Sequence, residues 1–76
     1  MKNCTVKLVW DDGIWYTKAD EELGLVLESG SFDALIERVR MAVPEMLEMN
    51  CGYRGEIQLS FEVERVDNLQ MRVVTA

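Results

Sequence analysis

The side chains in this chain that could do chemistry are carboxylates and two thiols. Fourteen Asp and Glu stand against eight Lys and Arg, and histidine is absent. Asp11 and Asp12, taken with Asp20, Glu21 and Glu22, are the one acidic group dense enough to suggest a cation site. They lack the alternating Asp-x-Asp-x-Asp-Gly order by which a calcium loop arrays its oxygens. Asp-Asp-Gly is instead the vocabulary of a tight turn, so turn formation and solubility are the roles expected of them. Without histidine no side chain has an ordinary pKa near neutrality to serve as a general base. Cys4 and Cys51 lie far apart, with no CxxC and no activating neighbour in sequence, so neither a zinc cluster, a disulfide scaffold nor a nucleophile is written there. No catalytic residue, metal ligand or cofactor is expected. The surplus of acid gives a formal charge of −6, which repels nucleic-acid phosphates and anionic membranes and favours a basic partner. The single arginines at Arg38, Arg40, Arg54, Arg65 and Arg72 do not form a basic stripe.

Whatever these residues do, a small scaffold must hold them. The chain has 76 residues, 49% of them apolar, which suits one folded domain and is too apolar for a disordered segment. A domain of this size buries only about 60 to 65% of its unfolded surface and usually needs a staple. With disulfides and metals not indicated, self-association is the staple expected. The N-terminus lacks the apolar stretch of a signal peptide, and no run approaches the roughly 18 apolar residues of a membrane span, so the cytoplasm is the expected compartment.

Thr5 to Trp10 and Ile14 to Lys18 are rich in β-branched and aromatic residues, and they flank Asp12-Gly13. That pair suits a type I′ turn, because both positions need positive φ. The hairpin it closes places Trp10 opposite Trp15. Leu23 to Glu28 reads as a third strand ended by Gly30. Ser31 then suits a helix N-cap, with Asp33 favourable in the first turn. Phe32, Leu35, Ile36, Val39, Val43, Met46 and Leu47 follow at helical spacing, through a kink expected at Pro44, to an exit at Asn50-Cys51-Gly52. From Glu56 to Val66 apolar and polar residues alternate as in a half-buried strand. Leu69 to Val74 alternates again, as a short fifth strand or an extended tail. The fold class is therefore α+β, in the order β-β-β-α-β with an optional last strand, one kinked helix covering one face of a single sheet.

The uncovered face must go somewhere. It presents Val9 and Tyr16 among lysines and threonines, and the tail adds Leu69, Met71 and Val73. These five are the residues expected to mediate pairing with another copy, through this face or through the sheet edge, as a dimer or tetramer. Trp10 and Trp15 read first as hairpin core and second as partner anchors. On the helix side facing water, Glu37, Met41, Glu45 and Glu48 form an acidic stripe with one apolar spot. It is either a solvated face or the contact for a basic protein.

Four stretches carry a family resemblance: Val9 to Trp15, Asp20 to Val26, Phe32 to Arg40, and Val43-Pro44-Glu45-Met46-Leu47-Glu48-Met49-Asn50. Over about residues 5 to 63 the chain resembles a small bacterial family of unknown function that is similar to the HicB antitoxins. Where relatives tend to carry proline before Gly24, this chain has Leu23. The resemblance implies a truncated RNase H-like fold, assembly into oligomers, and inhibition of a small basic RNA-cleaving toxin. RNase H chemistry itself needs carboxylates converging on two magnesium ions, one of them in the middle of the first strand. Lys7, Leu8 and Val9 stand there, so a non-enzymatic role is expected. Many HicB proteins also carry a DNA-binding segment at the C-terminus. A chain ending at Ala76 has no room for it, so direct DNA binding is not expected. An orphan self-assembling module without a toxin is the alternative function.

Overall fold

The computed structural model describes residues 1–19 and 23–72. In chain order the elements are β1 (Lys2–Asp11), β2 (Ile14–Lys18), β3 (Glu28–Ser29), α1 (Phe32–Cys51) and β4 (Ile57–Glu64). They build an α+β domain with a four-stranded mixed sheet in the order β3-β2-β1-β4 and one helix. β1 and β2 are antiparallel, as are β2 and β3, whereas β4 lies parallel to β1 on its far side.

The hairpin has the expected register, with Trp10 opposite Trp15 and Val9 opposite Tyr16. Asp12 (φ 46°) and Gly13 (φ 88°) supply the two positive values that a type I′ turn demands. Helix α1 starts and stops on the signals in its sequence. Ser31 is extended, and its hydroxyl accepts a hydrogen bond from the Ala34 amide. At the other end Gly52 is left-handed; its amide reaches the Glu48 carbonyl, the bond of an αL cap, and the Tyr53 amide reaches the carbonyl of Leu47. The helix runs unbroken through Pro44, which lies on its exposed side, where water is at hand for the Arg40 carbonyl that proline cannot serve.

The third strand departs from expectation. Only Glu28 and Ser29 join the ladder, and Leu23 to Leu27 form no strand. Gly24 takes φ 60°, a left-handed conformation that no strand accommodates. The buried Thr17 hydroxyl substitutes for the missing ladder: it accepts from the Leu27 amide at 3.0 Å and sits 3.3 Å from the Leu25 carbonyl, to which it donates. The segment is thereby tied to β2 while Leu23 and Leu25 turn into the core.

That core lies between α1 and the sheet. Val6 and Leu8 of β1 meet Leu35, Val39, Val43 and Leu47 of α1, all essentially inaccessible, with Cys4, Trp15, Leu23 and Leu25 around them. Past β4, residues 65–72 join no helix or strand and are exposed at every position, so Leu69 to Arg72 form no fifth strand. The radius of gyration is 16.6 Å and the long dimension 66 Å, against about 11 Å expected for a compact chain of this length. The expected turn at Asp20 to Glu22, and Val73 and Val74 of the tail, lie outside the described residues.

Candidate interaction surfaces

Three surfaces hold the residues that bear on function. The first is the outer side of α1, where Glu37, Met41, Glu45 and Glu48 fall at steps of four, four and three and are all exposed. The stripe is less bare than its sequence suggests. Arg40 Nη1 meets Glu37 Oε1 at 3.0 Å, and Arg54 Nε, from the loop after the helix, meets Glu48 Oε1 at 3.0 Å. Two of the three carboxylates thus have arginine partners, which leaves Glu45 beside the exposed Met41 as the sharpest negative spot.

The second surface is the sheet face turned away from the helix. Alternation along β1, β2 and β4 places Thr5, Lys7 and Val9, then Tyr16 and Lys18, then Ser60 and Glu62 on it. Thr5, Lys7, Lys18, Ala19 and Glu62 line a shallow depression of about 300 Å³ there. Val9 is 8% exposed and Tyr16 half-buried. This face is therefore mainly polar, and Val9 has little surface left to offer. Leu69 and Met71 do not join it, because the chain beyond β4 does not fold back as a strand.

The third surface is one that periodicity alone does not reveal. On the helix side, β4 carries Ile57, Leu59, Phe61 and Val63, paired in register with Lys2, Cys4, Val6 and Leu8 of β1. The residues of β1 from Cys4 to Leu8 on that side are buried. Ile57, Leu59 and Phe61 are only half-buried, and Val63 is 55% exposed. The cause is width. Four strands about 4.8 Å apart make a sheet wider than one helix about 10 Å across can roof. α1 lies over the strands on the β1 side, and a groove of about 160 Å³ lined by Arg40, Val43, Pro44, Ile57 and Leu59 runs between it and β4. The outer edge of β4, eight residues long, pairs with no strand among the described residues.

Just beyond β4, Arg65 closes the end of the core near the hairpin. Its Cζ lies 4.4 Å from the Trp10 ring centre and 5.9 Å from that of Trp15, and its Nε meets Asp67 Oδ2 at 2.9 Å. The two tryptophans are 5.2 Å apart, and Trp15 meets Phe32 edge-on at 4.9 Å. Trp15 is thus core, and Trp10 is flanked by Trp15 and Arg65. After Arg65 come exposed apolar side chains: Val66, then Leu69 at 91% and Met71 at 89%.

Among the described residues no three His, Cys, Asp or Glu come together where they could hold a metal ion, and no helix is long and apolar enough to cross a membrane. The architecture is that of a small α+β domain in which one helix covers part of a four-stranded mixed sheet. The chain belongs to the family described as Domain of unknown function (DUF1902), which it matches over residues 3–75. Its fold is similar to that of hypothetical protein TTHA1013 from the extremely thermophilic bacterium Thermus thermophilus. That crystal structure superposes with a TM-score of 0.65 at 26% identity, over 92% of this chain and 100% of the other. No curated protein matches the sequence.

Proposed function

We propose that this chain is a cytoplasmic, non-catalytic protein–protein interaction domain that works as a homo-oligomer. One observation carries the reading: the apolar side of β4 is left half-covered beside an unpaired strand edge, and the same chain presents Leu69 and Met71 almost fully to water. An unpaired edge with apolar side chains beside it is a site that soluble proteins ordinarily blunt or cover. β4 carries neither proline nor lysine to blunt it. The non-catalytic part of the reading rests on Lys7, Leu8 and Val9, which occupy the middle of β1 where RNase H chemistry needs a carboxylate. Size-exclusion chromatography with light scattering should give a dimer or tetramer at micromolar concentration. A monomer throughout that range overturns the reading.

A finer form of the same proposal is HicB-like inhibition of a small basic RNA-cleaving toxin. It is favoured by the charge of −6 and by the order of elements. Glu37, Met41, Glu45 and Glu48 are the residues offered for that contact. The test is binding of a small basic protein encoded beside this one, with Glu45→Lys expected to weaken it and increasingly so at low salt. A neighbouring product that does not bind leaves the orphan assembly module as the function.

A further inference from the structure

We propose that two copies of this chain exchange residues 65–72, each tail lying antiparallel along the outer edge of the other copy's β4. This rests on the self-association reading above and specifies its interface.

Four observations converge on that occupant. The first is reach, since the sequence after Glu64 is long enough to run the full eight residues of β4. The second is pattern. Arg65 lies on the helix side of the sheet, over Trp10, so an extended continuation puts the odd-numbered Leu69 and Met71 on that side too. Ile57, Leu59, Phe61 and Val63 occupy that side of β4, and residues directly opposite each other in an antiparallel pair share a face. A two-fold axis near Glu64 or Arg65 brings Leu69 opposite Leu59 or Phe61, with Met71 opposite Ile57 or Leu59.

The third observation is charge. The tail has two arginines and one aspartate, a net of +1 in a chain of net −6, whereas residues 56–64 carry Glu56, Glu62 and Glu64, a net of −3. Repulsion between two acidic copies is therefore reversed along this seam. The fourth is shape. The tail joins no strand or helix of its own copy, and the chain is far longer than a compact 76-residue domain. Pairing would convert two four-stranded sheets into one continuous sheet and place Leu69 and Met71 beside the groove lined by Pro44, Ile57 and Leu59. Exchange of a terminal segment is a low-cost route to a closed, two-fold dimer.

Cysteine cross-linking tests the arrangement in the full-length chain. In a Cys4→Ala, Cys51→Ser background, which removes the thiol opposite position 59 in the same copy, Leu59→Cys and Leu69→Cys are made singly and treated with a short bismaleimide, and the two variants are also co-expressed and treated together. In the exchanged dimer the two copies of position 59, or of position 69, lie about 30 Å apart along the strands, beyond the reagent's reach. Covalent dimer is therefore expected from the co-expressed pair and from neither variant alone. Cross-linking of Leu59→Cys alone would show β4 edges pairing without the tails and overturn the exchange. So would a light-scattering dimer that gives no covalent product in any sample. Either result leaves self-association standing, whereas a monomer by light scattering removes both. As an orthogonal check, Leu69→Asp with Met71→Asp should shift the dissociation midpoint at least tenfold toward monomer while leaving the far-ultraviolet circular dichroism unchanged; an unshifted midpoint overturns the exchange.

Discussion

β1 and β4 have the same alternating design and opposite fates. Both put apolar side chains on the helix side at every second position. In β1 Val6 and Leu8 are sealed, whereas of their register partners in β4 Phe61 is only half-buried and Val63 is exposed. The difference lies in position: β1 is central, with α1 above it and strands on both sides, and β4 is an edge that the helix only borders. Alternation thus states which side of a strand is apolar, and neighbours decide how far that side is covered.

Truncations should separate the two regions. Leu35→Ala, in the sealed part, is expected to cost about 2–5 kcal/mol, because the cavity it leaves cannot collapse between α1 and β1; urea unfolding measures it. Leu59→Ala should cost about half that or less in dilute protein, where the flank is open. A cost that climbs toward the Leu35 value as protein concentration rises would mean the flank is filled by another copy. Equal costs at every concentration would break the distinction between the strands.

A middle-sized effect is expected where a side chain replaces a ladder. Thr17→Val keeps the shape but leaves the Leu27 amide without its hydroxyl acceptor, at a cost of about 1–3 kcal/mol. Hydrogen exchange should locate the loss in residues 23–29. If those amides exchange as in the parent, the hydroxyl does not hold the segment. The smallest effect should come from Ser31→Ala, about 1 kcal/mol through the lost cap, measured by urea unfolding.

Much of the fold is legible from short-range chemistry. The Asp12-Gly13 turn fixes the Trp10 to Trp15 register, and Ser31 and Gly52 bound the helix, because each depends on φ preferences and hydrogen bonds within a few residues. The third strand is misread from sequence because its apolar run suggests a ladder, whereas Gly24 breaks it and Thr17, distant in sequence, supplies the bonds. Of the candidate surfaces, the acidic stripe on α1 is visible from helical spacing, yet its neutralisation at Glu48 depends on Arg54 reaching back from the following loop.

Periodicity and composition were enough to set the order of elements, the apolar side of each and the acidic character of the surface. Three features emerged only in three dimensions: β4 lies parallel to β1 as an outer strand, the helix stops short of covering it, and the described residues beyond it join no strand or helix. Strand order depends on where a crossover of many residues returns the chain, and no local pattern encodes that. The exposed flank is a consequence of the order, since a single helix is narrower than four strands.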